Sequence, residues 1–280
     1  MKNAQIDAKN SEITDGINYA KRFQTAVLAS DNAMSDFFKD HSILYLPKDI
    51  VSGDFYMLER LPDRSAVFVV ADCTGHGVPG AMVSLIGASN IKRVVNESNV
   101  NQPGLALSIL NNELPKAFTS DQVTINDGMD LSMCHFTTNK DMLTFAGANR
   151  NCWVINHKDS LKNRGVKNAR IIESNSNDQA LLELKGTRGG IGRASQTMTF
   201  NSISIPLEPG DRVVLTTDGF ADQFGGPHNK KFKSSQLKQL VLSFCGMSAI
   251  NTTSGLKSAF DQWRHSEDQI DDICVAVLDF

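Results

Sequence analysis

No stretch of the 280 residues approaches the roughly 20 consecutive apolar side chains that a membrane-crossing helix needs. The first 16 residues are polar and lack the apolar run of a secretion signal. The five cysteines (Cys73, Cys134, Cys152, Cys245 and Cys274) include no CxxC pair, which argues against a thiolate zinc site and suggests reduced thiols in a cytoplasmic protein. Basic runs are also missing. With a formal net charge of −3, the chain gives no electrostatic case for binding nucleic acid. The loop Gly186–Gly192 is rich in glycine, yet no GKS or GKT follows it, so it is not a P-loop. A CxxxxxR loop for a covalent phosphocysteine is likewise absent. What remains is an ordinary globular composition, 41% hydrophobic and 21% charged, long enough for one large domain or two small ones.

The chemistry is densest between Val51 and Gly80. Two strand-like runs, Phe55 to Leu61 and Ala66 to Ala71, flank Pro62-Asp63-Arg64 and read as a hairpin. Asp54 precedes the first run and Asp72 follows the second, so antiparallel pairing brings both carboxylates to one end. The apolar Val67-Phe68-Val69-Val70 has the composition of a strand buried on both faces. Next come Cys73-Thr74-Gly75-His76-Gly77 and a helical pattern from Gly80 to about Asn96. Glycines before a helix N-terminus favour a bound anion such as phosphate. Carboxylates beside that turn would repel a phosphate unless a cation lay between them. Oxygen-only ligands point to Mg²⁺ or Mn²⁺ rather than Zn²⁺.

Elsewhere the pattern recurs. Val213-Val214-Leu215 leads to Asp218-Gly219, and Asp271-Asp272 opens a final apolar strand. Four strand ends thus carry aspartate (Asp54, Asp72, Asp218 and Asp271), which is how an antiparallel sandwich would build a metal site at one edge. Helical spacing is expected from Thr14 to about Ser30, Pro103 to Phe118, Ser235 to Phe244 and Gly255 to Arg264. Residues 131–137 and 142–146 read as a hairpin, 152–156 as a strand, and Ile203 to Leu207 with Arg212 to Thr216 as another hairpin turning at Glu208–Asp211. Residues 157–180 are polar and read as a mobile insertion, and the Gly186–Gly192 loop as flexible and near the site. Ile13, Ile17, Ala20, Gln24 and Val27 follow a 4-3-4-3 seam, which fits either a homodimer through this helix or an amphipathic helix lying on its own domain.

VSGDFY, VADCTGHGVPGAMVSLIG, TTDGFADQFGG, QIDDICVAVL and the intervening DGMDLSMCHF and LTFAGANR together resemble the PPM (2C-like) metal-dependent serine/threonine phosphatases, specifically the bacterial SpoIIE-type branch. The resemblance runs from about Ile13 to Phe280. It implies an α+β fold in which two antiparallel sheets pack face to face with helices outside, giving α-β-β-α layers. It also implies a regulatory or dimerisation helical segment over residues 1–40 and a phosphatase domain over 41–280. Two ions, Mn²⁺ or Mg²⁺, are implied. Asp72 matches the carboxylate that bridges them, Cys73 the residue lending its carbonyl, and Asp218 and Asp271 further ligands. Asp54 matches the acidic position acting on metal-bound water directly or at one remove. His76 falls near the family's proposed general acid, beside the alternative of a loop-packing histidine. Eukaryotic members bind phosphate with an N-terminal arginine, for which Arg22 is the nearest residue here.

The implied reaction is hydrolysis of phosphoserine or phosphothreonine on a partner, by resemblance a STAS-domain anti-sigma factor antagonist, under control of an upstream sensor or activator. A non-catalytic PPM-like binding domain and a small-molecule phosphohydrolase are the competing readings.

Overall fold

The computed structural model describes residues 2–97, 102–119, 126–166, 169–193 and 197–280. The chain opens with α1 (Lys2–Val27) and α2 (Asp31–Ser35), then β1 (Asp40–Leu46), β2 (Asp54–Arg60) and β3 (Ala66–Cys73). Two helices follow, α3 (Gly77–Glu97) and α4 (Pro103–Ala117), and then β4 (Met129–Phe136), β5 (Met142–Ala148) and β6 (Cys152–His157). After α5 (Lys158–Asn163) come β7 (Ala169–Glu173), β8 (Gln179–Leu184), β9 (Ile203–Pro206) and β10 (Arg212–Thr216). The short α6 (Gly219–Asp222), β11 (Phe224–Gly225) and β12 (Lys230–Lys231) precede α7 (Ser234–Ser243), α8 (Ala249–Arg264) and β13 (Ile273–Asp279).

The long strands form two antiparallel sheets, β1-β13-β10-β6-β8-β7 and β2-β3-β4-β5-β9. The period of two in each strand sets the layers. Phe68 and Val70 of β3 point into the core between the sheets with Cys134, Phe136, Val154, Leu182, Leu215 and Ala276. Val67 and Val69 point the other way, against Ile91 of α3 and Leu107 and Leu110 of α4. This is why the run over Val67–Val70 is apolar without interruption: both its faces are covered. On the far side, Trp153, Val214 and Val275 pack against Leu237 of α7 and Leu256 and Phe260 of α8. The result is the α-β-β-α sandwich expected. Each fully buried Leu, Ile, Val or Phe in these layers contributes about 1.5–3 kcal/mol of transfer free energy. No helix among the described residues is long and apolar enough to cross a membrane.

Three expectations change. The segments before and after Glu208–Asp211 do not pair: β9 joins β5 in one sheet and β10 joins β13 and β6 in the other, so this turn crosses the sandwich. The turn is held there by Asp211, fully buried and bonded by Arg164 (2.8 Å to each carboxylate oxygen) and Asn156 (2.6 Å). The polar stretch 157–180 is not an insertion. It folds as α5, β7 and the start of β8, with residues 167–168 outside the described set. Its polarity reflects the position of β7 as an edge strand that keeps one face in solvent.

The third change concerns the first helix. α1 begins at Lys2, well before Thr14, and at Gln24, 5% exposed, it docks on its own domain, one of the two arrangements its spacing allowed. Gln24 Nε2 donates to Ser52 O (2.5 Å) and Ser84 Oγ (3.0 Å), and its Oε1 accepts from Ser52 N (3.0 Å). Val27 and Leu28 pack against the core beneath α3. Farther out, Ile6, Ile13, Tyr19 and Phe23 are each more than half exposed. Met34 of α2 and Phe37 and Phe38 in the turn after it are buried in the core between the sheets.

Candidate active site

The β2–β3–β4 register sets three carboxylates abreast. Asp54 pairs with Asp72, and Asp72 pairs with Asp130 on its other side. From the second sheet, Asp218 follows the end of β10 and Asp271 precedes β13. The two sheets thus bring their aspartates to the same edge. The chain can approach closely here because of small residues: a Cβ on Gly53 or on Gly80 would lie 2.3 Å from Gly75 O.

Arg150 lies in the connection from β5 to β6, where the chain passes between sheets. Its Nη2 donates to Asp72 Oδ2 and, at 2.6 Å, to Asp218 Oδ2, with Asp130 Oδ2 at 3.7 Å. A single cationic nitrogen thereby bridges carboxylates from both sheets. The Arg150 side chain is 14% exposed and its buried Nε has no partner among the described residues. Its backbone is clasped, since a Cβ on Gly147 or Gly186 would lie 2.0 or 2.1 Å from Arg150 O. Arg193 covers the outer side of Asp130 (2.7 Å), and Asn149 Nδ2 donates to the same oxygen (3.0 Å).

The other aspartates are held in distinct ways. Asp54, 2% exposed, accepts from Thr217 Oγ1 (2.6 Å). Burial and the neighbouring Asp72 hold its carboxyl well above the usual range, against the pull of the Thr217 hydrogen bond. Burial likewise pushes Asp72 up to about 8; the Arg150 guanidinium works in the opposite direction, and Asp218, Asp271 and Asp130 add to the rise. Burial, then Asp218 and Asp272, raise Asp271, while a hydrogen bond from Asp272 N opposes. Asp272 itself is a backbone clasp, accepting from Lys48 N and Gly53 N (2.7 Å each). Of the acidic pair, therefore, Asp271 is left to face the cluster.

Cys73 is 4% exposed at the end of β3, its thiol pushed up by burial. His76 lies at the surface. Its Nε2 is 3.0 Å from Lys48 Nζ, which has no acceptor, so Nε2 accepts and Nδ1 carries the proton to Asp49 Oδ2 (2.8 Å). Both ring nitrogens are thus engaged. Arg22 lies exposed on α1. The glycine-rich loop is near the site and stitched in place: Met129 and Ile191 exchange backbone hydrogen bonds, and Gly189 N donates to Asn149 Oδ1 (2.7 Å).

The donor chemistry fits hard divalent cations. Asp54, Asp72, Asp218 and Asp271 offer oxygen alone, and one guanidinium undercompensates their charge. Among the described residues no three His, Cys, Asp or Glu side chains stand together as a ready ligand cluster. Sequence reasoning missed Asp130, Arg150, Asp272 and Thr217 in this assembly. The one available signal was the repeated proximity of charged residues to strand ends, which Asn149-Arg150 after β5 also obeys.

Two face-to-face antiparallel sheets under helices, with carboxylates from both gathered at one edge, define a PPM-type phosphatase domain. A family model described as stage II sporulation protein E (SpoIIE) matches residues 62–280, and the chain belongs to this family. Among solved structures it is similar to the SiaA-PP2C domain of Pseudomonas aeruginosa, with 27% identity, a TM-score of 0.79 and coverage of 98% of this chain and 99% of that one. It is also similar to the PP2C phosphatase domain with a regulatory fragment of the cell fate determinant SpoIIE from Bacillus subtilis (16% identity, TM-score 0.61, 86% and 63% covered). The RsbU and RsbW domains of a Mycobacterium tuberculosis protein match at 18% identity and a TM-score of 0.60, covering 86% and 60%. These last two speak to the fold alone. Comparison with curated protein sequences finds no match.

Proposed function

We propose that this PPM-type domain is a metal-dependent protein phosphatase that removes phosphate from phosphoserine or phosphothreonine on a partner protein. The observation that carries it is the convergence of Asp72 and Asp218, from different sheets, on one cationic nitrogen. Asp72, the Cys73 carbonyl, Asp218 and Asp271 would hold two divalent ions, Mn²⁺ or Mg²⁺, with Asp54 beside them. Such a pair supplies an activated water and screens the charge of the phosphoryl group. Within the chain, Thr217 fixes the Asp54 carboxylate and Asp272 fixes the backbone before it, so the acidic edge is positioned by hydrogen bonds that need no cation. One protein of similar fold, RsbX, has been solved in complex with magnesium.

The proposed substrate is a phosphorylated STAS-domain protein, a reading that rests on the family resemblance, in cytoplasmic signalling. The helical segment over residues 1–40 is the proposed receiver of an upstream signal and the proposed contact of a homodimer, supported by the exposed apolar residues of α1.

Hydrolysis of p-nitrophenyl phosphate with Mn²⁺, Mg²⁺ or EDTA, in wild type and in Asp72→Asn and Asp218→Asn, tests the reading. Metal-dependent turnover lost in both variants, by a factor of about a hundred or more, is expected. Absence of metal binding by calorimetry would refute it. Metal uptake without turnover on any phosphoester or phosphoprotein would leave the domain a regulatory binding module. A panel containing nucleotides and sugar phosphates beside a phosphorylated STAS domain separates the protein phosphatase from a small-molecule phosphohydrolase.

A further inference from the structure

We propose that Arg150 is the residue that binds the phosphoryl group of the substrate, and that its place on the carboxylates is a resting position vacated when cations enter. The proposal rests on the metal-dependent reading above.

The argument begins with competition. Arg150 Nη2 bonds to Asp72 Oδ2 and Asp218 Oδ2, the side chains that a divalent ion at this edge would need. A guanidinium and a cation do not share a carboxylate oxygen without repulsion, so metal uptake displaces the side chain. Its backbone stays, because Gly147 and Gly186 leave no room around Arg150 O. The displaced guanidinium therefore remains tethered beside the cluster.

There it is a charge in want of an anion. The side chain is 14% exposed, and among the described residues Nε has no partner while Nη2 is engaged. The carboxylates of Asp72 and Asp218 compensate its charge. Once cations take those carboxylates, the guanidinium has lost its compensation. A buried charge stripped of its partner is strongly unfavourable, whereas a phosphoryl dianion accepts two parallel N–H bonds from a guanidinium. The substrate's own chemistry repairs the deficit that the metal creates. Other arginines fit less well: Arg193 stays paired with Asp130 on the outside, and Arg22 is exposed on α1.

Two titrations by calorimetry test this on the full chain. In the first, Mn²⁺ is added to wild type, Arg150→Met and Arg150→Lys. Removal of the competing cation makes Mn²⁺ bind at least as tightly to Arg150→Met as to wild type. In the second, inorganic phosphate is added to the Mn²⁺-loaded proteins. Loss of a charge-assisted contact weakens phosphate about ten-fold or more in Arg150→Met, with partial recovery in Arg150→Lys, which keeps the charge without the fork. Equal phosphate affinity in Mn²⁺-loaded wild type and Arg150→Met overturns the assignment and leaves the phosphatase reading standing. Failure of wild type to take up Mn²⁺ overturns both. Should Arg150→Met not fold, the comparison of wild type with Arg150→Lys decides: unchanged phosphate affinity and unchanged Mn²⁺ affinity count against the proposal.

Discussion

Asp54 and Asp72 lie directly opposite each other on β2 and β3, an arrangement that costs stability in an antiparallel pair. Placing two like charges in a buried register is the kind of local conflict that marks a functional position. The four strand-end aspartates were legible because each sits where an apolar run meets a glycine or a turn. Asp130, one residue before the expected strand 131–137, and Arg150, just after β5, also stand at strand ends, but nothing in one dimension says that a guanidinium turns inward. A different residue supports a test at this scale. Burial lowers His135 from its ordinary 6.5, and its Nε2 lies 3.1 Å from Ser65 Oγ. The folded chain therefore takes up this proton at lower pH than the unfolded chain, so the contribution is present above about pH 6.5 and lost as the pH falls through the folded value. In urea titrations, wild type is expected to lose more stability between about pH 7 and pH 5 than His135→Gln; equal losses would refute the assignment.

Elements with a two-sided apolar code, such as β3 and β13, were visible in the sequence, as were α3 and α4, whose buried faces repeat at helical spacing. The failures have a common cause. β9 and β10 look like hairpin partners because hairpins are the usual outcome of two strands around a short turn, but strand propensity carries no label for which sheet a strand joins. α5 and β7 were passed over because their apolar anchors, Leu161 and Ile171, stand among polar residues. Arg164, at the end of α5, has a side chain 2% exposed and paired with fully buried Asp211. Removing one member of such a pair strands the other charge and typically costs about 3–5 kcal/mol. Arg164→Ala is expected to fall in that range by urea denaturation. A loss below about 1 kcal/mol would show the pair to be as weak as a surface ion pair.

For the whole molecule, the layered sandwich followed from the strand order, whereas the path of α1 did not. The 4-3-4-3 seam is real as a pattern but divided in use: Gln24 and Val27 are spent on the domain, and Ile13 is 61% exposed. If that outer part pairs protomers, sedimentation at tens of micromolar should give a dimer that Ile13→Asp converts to monomer. A wild-type monomer would argue against pairing through α1. Mechanically, α1 is a lever with unequal arms. From Lys2 to Gln24 it extends by about 33 Å at 1.5 Å per residue, while its fulcrum is three hydrogen bonds to Ser52 and Ser84. Ser52 stands two positions before Asp54, and its hydroxyl oxygen accepts from Asp54 N (3.0 Å). A sideways load on the outer end of α1 would therefore act, through Gln24, on the backbone just before Asp54.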